Sequence, residues 1–581
     1  MTSKLRGLYK QLVRVGAVSV IATAITLPLL ATSWNLGLSS LGLLTLVPLI
    51  FLVLNFGGDL PHLRGRVGKS AHIGDHVVPR TLLLAVLAVT SVVNSAKPLL
   101  PLIAIGVVAI ALSLEIGTRV ISERIQPIAI RLPRFNRPNS LHVNLTWVSV
   151  LSLAWTGLFT PLLSLDSESG LIHLVTALLV LAASLFAFVY AALIWRVQRG
   201  SAGALTKALS DYSPSFAIHW EAPKNTVYQI KMWLPYLEQV GVDFFVIVRT
   251  TKNFEEVRTI TDRPVILRSD LKDIDSAIVP SLKAILYVNT ATLNNHLVRF
   301  TDLTHVQLNH GDSDKAASSN PAFKIFTKNF VAGQAAIDRF ERNGVTTPPD
   351  FFEVVGRPQV SSIETAQLRS SSSAIKTVLY APTWHGFYED SNHSSLKIGP
   401  VLVQSLVEAG TRVLFRPHPY SLRSSKYRRI IKKVEAYLAD QNSKGGVQHL
   451  YGNASASALI ESLFNESDAL IGDVSSVVAD YLQSGKPLSV VCINQSLQDL
   501  AGHMPVSQAA YVLDAGGTGK DKPQPAELQS RIQDVIGGLV VNDTLQVARA
   551  DLKKYYLGDI SPGNEVSTFV AALRRYVVPP K

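Results

Sequence analysis

The sequence predicts an α-helical transmembrane region followed by a pair of doubly wound α/β domains, and three observations carry that prediction. Only 17% of the 581 residues are charged, and mean hydropathy is +0.24, high for a wholly soluble chain. The apolar residues are unevenly placed, with long uncharged runs in residues 1–199 and ordinary globular patterning in 200–581. From about residue 215, short apolar strands alternate with amphipathic stretches, the pattern of parallel sheets covered by helices on both faces.

The membrane region comes first. A spanning helix needs about 20 mostly apolar residues, and six runs qualify: near 12–32, 36–56, 79–96, 98–117, 143–165 and 171–195. Lys97-Pro98 makes a tight hairpin between the third and fourth. The first run is too long for the apolar part of a cleavable signal, and a second follows almost at once. Charge alternates along the loops. Lys4, Arg6, Lys10 and Arg14 precede the first run, and Arg64, Arg66, Lys69 and Arg80 separate the second from the third. Arg119, Arg124, Arg131, Arg134 and Arg137 follow the fourth, whereas Asp166 and Glu168 follow the fifth. Basic residues mark the cytoplasmic side, so a multi-pass cell-membrane protein is expected, with the N-terminus and the α/β part both cytoplasmic. No ionisable residue falls at the centre of a run, and Glu115 lies near an end. That favours an anchor over a transport path. The segment 118–140 offers an interfacial stretch that touches lipid.

The formal charge of +12 suggests nucleic acid until it is divided. Residues 1–199 hold 16 basic and 6 acidic side chains, and residues 200–581 hold 39 and 37. The excess therefore belongs to the membrane loops, where it sets topology or attracts anionic lipid, and a basic groove for DNA or RNA has little support. The single cysteine, Cys492, lies in the apolar run Leu488–Ile493 and reads as a small core residue.

In the α/β part the expected strands are Phe216–Trp220, Phe244–Arg249, Val265–Arg268, Ala284–Val288, His305–Asn309, Lys324–Phe326 and Phe352–Val355. Asn225–Val240, with Val227, Ile230, Leu234 and Leu237 at helical spacing, is an expected helix. A Ser-rich linker follows, and then a second series: Val378–Ala381, Val413–Arg416, Val447–Leu450, Ala469–Gly472 and Leu488–Val491. Doubly wound sheets bind ligands at the carboxyl ends of their strands, and four polar clusters stand there.

The first cluster is Leu308-Asn309-His310-Gly311-Asp312-Ser313-Asp314-Lys315. Gly311 allows close backbone approach, His310 takes a proton near neutral pH and Lys315 meets phosphate. A loop histidine bonded only to backbone is the plain alternative. The second, Tyr380-Ala381-Pro382-Thr383-Trp384-His385-Gly386, offers a fixed turn and a hydroxyl, or simply turn chemistry around a packed Trp. In the third, Leu414-Phe415-Arg416-Pro417-His418-Pro419, two prolines clamp a histidine beside a guanidinium suited to a diphosphate. The fourth runs from Ser467 to Ser476 and ends Gly472-Asp473-Val474-Ser475-Ser476. There a helix start presents free N–H groups to phosphate, with Asp473 or Ser475 as its cap.

In this order and spacing the four clusters resemble the CDP-glycerol glycerophosphotransferase family, the teichoic-acid polyol-phosphate transferases, over about residues 215–560. The resemblance implies a GT-B-like pair of Rossmann-type domains: an acceptor-side domain over 200–357, a linker over 358–373 and a nucleotide-donor domain over 374–581. It implies a membrane-bound enzyme that moves glycerol phosphate, or another polyol phosphate, from a CDP-activated donor to a hydroxyl of a lipid-linked polymer, releasing CMP. His310 would be the general base and His418 the second catalytic residue. Gly311, Lys315, Thr383, Arg416, Asp473, Ser475, Ser476 and Asp480 would contact substrate. The expected partners are CDP-glycerol or CDP-ribitol, the lipid-linked acceptor and membrane lipids, with no separate cofactor. No metal-ligand set has convincing spacing, since Lys315 beside Asp312 and Asp314 makes a loop charge pair equally plausible.

The sequence departs from that family at Asn309, where an aromatic residue is usual, at Val474, where Tyr is usual, and at His385. These positions bear on the polyol and the acceptor more than on the reaction class. Two other readings fit the same chain: a GT-B glycosyltransferase using a nucleotide sugar, and a non-catalytic membrane scaffold or exporter component.

Overall fold

The structure, a computed structural model, describes residues 97–126, 128–136, most of 145–156, 170–223, 226–366, 376–386, 392–516 and 523–578, with scattered positions in 81–92. They form two compact units, one of residues up to Ala129 and from Arg134 to Leu205, the other of Ile130–Pro133 and Thr206 onward. The expected spans at 12–32 and 36–56 lie outside the described residues, and those at 79–96 and 143–165 lie partly outside.

In the first unit, α1 (Leu99–Arg124) and α2 (Gly170–Arg199) pack on each other. They are the two described helices long and apolar enough to cross a membrane by length and composition. Along α2, Gly170, His173, Ala177, Val180, Ser184, Ala187 and Ala191 are buried, at alternating spacings of three and four. Small residues on such a stripe let helix backbones approach in lipid. The other faces expose Leu171, Ile172, Leu179, Phe186 and Leu193. Glu115 corrects an expectation. Because α1 continues to Arg124, Glu115 lies inside the helix, buried, and accepts hydrogen bonds from Ser149 and Ser152.

In the second unit, an eight-stranded sheet runs in the order β1-β4-β3-β2-β5-β6-β7-β8. Its strands are β1 Ala129–Ile130, β2 Phe216–Trp220, β3 Phe244–Val248, β4 Val265–Leu267, β5 Ala284–Tyr287, β6 Thr304–Gln307, β7 Lys328–Val331 and β8 Phe352–Val354. From β4 to β8 all pairings are parallel. Counted from β2, this is the Rossmann order, whose switch point falls between β2 and β5. The second sheet is also parallel, in the order β10-β9-β11-β12-β13, built from β9 Thr377–Ala381, β10 Arg412–Phe415, β11 Ala469–Gly472, β12 Leu488–Cys492 and β13 Tyr511–Asp514. Its switch point lies between β9 and β11. The inner strands β2, β3, β5, β9, β11 and β12 are buried on both faces, as uninterrupted apolar runs such as Phe-Phe-Val-Ile-Val of β3 require.

Several expected elements move. Lys324–Phe326 is not a strand: Asn320 caps a 3-10 helix with Pro321 at its first position, and Phe323 and Phe326 are buried. The strand forms instead at Lys328–Val331. Val447–Leu450 contributes one bridge, Leu414 to Leu450, and the fifth strand is β13. Asn225–Val240 splits into Tyr228–Lys231 and Leu234–Glu238, because Pro235 lacks the N–H that would bond back across the break.

The chain crosses between the sheets more than once. After α3 (Ser476–Tyr481), α4 (Gln546–Leu557) brings Tyr556 to donate to Asp314 of the first half at 2.6 Å. Gly333 permits this approach, since a Cβ there would lie 2.5 Å from the Tyr555 carbonyl. Next α5 (Glu565–Val577) buries Phe569, Ala572, Leu573 and Val577 in the core of the first sheet, with Phe569 5.1 Å from Trp233 between ring centres. The stretch 374–581, grouped by sequence with the second half, thus ends on the first. A buried ion pair joins the halves as well, Arg357 holding both oxygens of Asp480 on α3. Replacing Asp480 with Ala strands the Arg357 guanidinium in the interior, and a loss of about 3–5 kcal/mol is expected. Denaturation of the purified variant measures it, and Asp480→Asn, which keeps an acceptor, should recover part of the loss.

Candidate functional site

The polar clusters gather where the two switch points face each other. His310 follows β6 through Leu308 and Asn309. Asn309 takes a left-handed conformation, φ +59°, one that Asn tolerates better than other side-chain-bearing residues. Its amide donates to Asn329 Oδ1 at 2.9 Å and Phe330 O at 3.2 Å, and its carbonyl accepts from Trp233 Nε1 at 2.6 Å. The turn is therefore pinned by a polar residue where the family has an aromatic one.

His310 Nδ1 lies 2.7 Å from the Val288 carbonyl, which can only accept, so Nδ1 carries the proton. Gln229 Oε1 accepts from Trp220 Nε1 and Asn289 Nδ2, which turns its Nε2 toward His310 Nε2 at 3.4 Å. The His310 Nε2 lone pair thus faces a donor and the cleft. Burial, opposed by the Val288 bond, holds the imidazole below its usual range.

His418 has the opposite tautomer. Its Nδ1 accepts from the Tyr420 backbone N–H at 3.1 Å, which leaves Nε2 as the protonated nitrogen. Its own N–H donates to Pro382 O at 3.1 Å. Burial, with Lys315, His310, Arg416 and Arg423 nearby, holds its pKa down at about 4. Arg416, whose guanidinium donates to the Ser455 carbonyl, adds fixed positive charge beside it.

Lys315 crosses from the first half to donate to Thr383 Oγ1 at 2.9 Å, and burial lowers its pKa to about 8 against the attraction of Asp473. Asp473 is fully buried at the end of β11. Its Oδ2 accepts from the Thr383 N–H at 2.7 Å and the Ser395 N–H at 3.1 Å, while burial raises its pKa to about 6. Gly311 meets the second half directly, for a Cβ there would lie 2.8 Å from Ser476 Oγ. Ser475 occupies the N-cap position of the six-residue α3 but makes no capping bond, its Oγ being buried and unbonded among the described residues.

Nine expected site residues, His310, Gly311, Lys315, Thr383, Arg416, His418, Asp473, Ser475 and Ser476, therefore stand at the strand ends around this cleft. Asp480 does not contact it: Arg357 takes both of its oxygens. Asp312 and Asp314 are held by Arg339, with Nε 3.2 Å from Asp314 and Nη1 on Asp312. Sequence reading missed Gln229, Asn289 and the Val288 carbonyl, which orient His310 across the sheet, and Ser395, which supports Asp473. None carries a local signal, because each acts through a partner far away in the chain.

Residues 361–495 match the family model of the CDP-glycerol:poly(glycerophosphate) glycerophosphotransferases. No curated protein matches in sequence. Among solved structures, the wall teichoic acid polymerase TagF with CDPG is similar at 13% identity and a TM-score of 0.42, over 65% of this chain and 92% of that one. A putative UDP-N-acetylglucosamine 2-epimerase from Listeria monocytogenes gives 11% and 0.42, over 63% and 98%. Anabaena HepE in complex with UDP and glucose gives 11% and 0.37, over 62% and 99%.

The three most strongly depressed histidines, His219 near 3 and His393 and His418 near 4, make stability depend on pH. Each is neutral when folded and charges near 6.5 when unfolded, so its contribution is full above pH 6.5 and falls as pH drops toward 4. Asp473, raised to about 6, works in the opposite sense over the same range. His305, His310 and His449 are lowered as well, and Asp314, Glu461 and Asp480 are raised, but the largest shifts are those of the histidines. A lower melting temperature at pH 5 than at pH 7 is expected, each of the three histidines contributing on the order of 3–5 kcal/mol at the acid limit. His418→Asn should flatten the dependence.

Proposed function

We propose that this chain, whose residues 361–495 match the family model of the CDP-glycerol:poly(glycerophosphate) glycerophosphotransferases, is a membrane-bound transferase that moves a polyol phosphate, glycerol phosphate first among the class, from a CDP-activated donor to a hydroxyl of a lipid-linked polymer. The opposed tautomers of His310 and His418 are the observation that carries this reading. A phosphoryl transfer to an alcohol needs a group that accepts the alcohol's proton and a group that donates to phosphate oxygen. One imidazole presents a lone pair at Nε2 and the other an N–H at Nε2.

The acceptor hydroxyl gives its proton to His310 Nε2 as its oxygen bonds to the donor's β-phosphorus. The bond from that phosphorus to the bridging oxygen breaks, and CMP leaves with the oxygen. His418 Nε2–H, the Lys315 ammonium and the Arg416 guanidinium steady the negative charge that shifts onto the diphosphate. Donors preorganised away from bulk water stabilise such charge more than water does.

The membrane assignment draws support from α1, α2 and the basic loops of residues 1–199. A transferase tethered to the cytoplasmic leaflet meets a soluble nucleotide donor and a lipid-borne acceptor at one surface. The charge pattern of the loops supports a multi-pass topology with a cytoplasmic N-terminus as part of this proposal.

CMP release from CDP-glycerol and CDP-ribitol, with membrane acceptor present, tests the proposal, alongside UDP- and GDP-sugars as competitors. Release only from nucleotide sugars would replace the reading with glycosyl transfer, and no release from any donor would leave the scaffold reading. His310→Ala should lower kcat/KM by about 10²–10⁴. Since the base acts when neutral and its pKa is depressed, wild-type activity should persist below pH 6.5 before its acid limb falls.

A further inference from the structure

His393 is not among the residues the sequence singles out, and it stands in the same cleft. Its segment is tied down on every side. Asn392 donates to Tyr427 Oη at 3.1 Å, and the Asn392 carbonyl accepts from Asn494 Nδ2 at 2.8 Å. Ser394 Oγ donates to the Thr383 carbonyl at 2.7 Å, and the Ser395 N–H donates to Asp473. The imidazole is therefore carried on backbone fixed to the same turn that supplies Thr383.

Its surroundings are cationic. The charged groups that bear on it are Lys315 and His503, and Lys315 bears on His418 as well. Lys315 is thus shared between two imidazoles, with Thr383 Oγ1 on its ammonium. His393 Nδ1 is buried with no hydrogen-bond partner among the described residues, and Ser475 Oγ, after β11, shares that condition. Buried polar atoms in folded proteins nearly always find partners. Two such atoms that can donate, near a buried lysine, describe a recess that a polar ligand completes; Asp473 offsets part of the Lys315 charge, and Arg416 adds a second cation that favours an anion.

We propose that His393 is a third histidine of the donor site, forming with Lys315 and Thr383 a recess that binds one phosphate of the diphosphate donor. This rests on the transferase reading above and adds to it a residue that binds phosphate without serving as the base. A neutral imidazole donates one N–H to a phosphate oxygen, beside the ammonium that carries the countercharge.

Calorimetric titration of the full-length protein in detergent with CDP-glycerol, and separately with inorganic pyrophosphate, tests it. His393→Phe keeps the ring's bulk and removes its donor, and should weaken both ligands about tenfold or more, the effect of losing one hydrogen bond to a charged group. His393→Gln, which restores a donor, should recover most of that loss; its failure to do so would assign the effect to packing and overturn the proposal. If wild type binds CDP-glycerol and His393→Phe binds it equally, the recess is wrong and the transferase reading stands. If wild type ignores CDP-glycerol yet binds pyrophosphate in a His393-dependent way, the recess stands and the donor assignment falls. Failure of wild type to bind either anion overturns the recess.

Discussion

A carboxylate with no access to water, Asp473, holds the loops of the second half together. Two backbone N–H groups, Thr383 and Ser395, converge on its Oδ2 from segments that lie 78 to 90 residues earlier in the chain. A buried carboxylate is costly unless it is bonded, and here the bonds it requires are what fix the site. The Thr383 turn places the hydroxyl that receives Lys315, and Pro382 in that turn takes the His418 N–H. Histidine, lysine and hydroxyl are positioned from one anion at the switch point of the second sheet. On the other side of the cleft the same task falls to acceptors of the first sheet, the Val288 carbonyl and the Gln229–Asn289 pair, which settle the tautomer of His310.

The two sheets face each other through a small set of crossing contacts. Arg357 with Asp480, Tyr556 with Asp314, and the return of α5 into the first core tie the second half back to the first. Buried ion pairs contribute less to net stability than their geometry suggests, because both charges lose hydration. Their effect here is on register: they set how closely Gly311 comes to Ser476 and hence the width of the cleft. Asp312 and Asp314 belong to this framework through Arg339, which accounts for an Asp-x-Asp pattern without a ligand role.

The chemistry follows from contrast between two residues of one type. His310 and His418 differ in which ring nitrogen the backbone occupies, a carbonyl in one case and an N–H in the other. That difference makes one a proton acceptor and the other a donor toward the same space. Burial and neighbouring cations hold His418 neutral, which preserves the assignment at neutral pH.

Much of this was legible without a fold. Apolar runs located the helices Leu99–Arg124 and Gly170–Arg199, and short, mostly apolar runs located Phe216–Trp220 and Ala469–Gly472 to the residue. Such features depend on near neighbours, so the sequence carries them. Polar residues just after strands pointed to His310, Lys315, Thr383, His418 and Asp473, since parallel sheets concentrate ligand contacts there. Elsewhere local pattern misled. Lys324–Phe326 looked like a strand but belongs to a capped 3-10 turn that buries Phe323 and Phe326, and Pro235 interrupted an otherwise periodic helix. What only the tertiary structure decided was partnership: that Asp480 meets Arg357 rather than substrate, that α5 returns to the first sheet, which nitrogen of each histidine carries the proton, and that His393 feels the charge of Lys315. Each depends on a contact between residues far apart in sequence, and chain periodicity holds no record of which distant groups desolvation will force together.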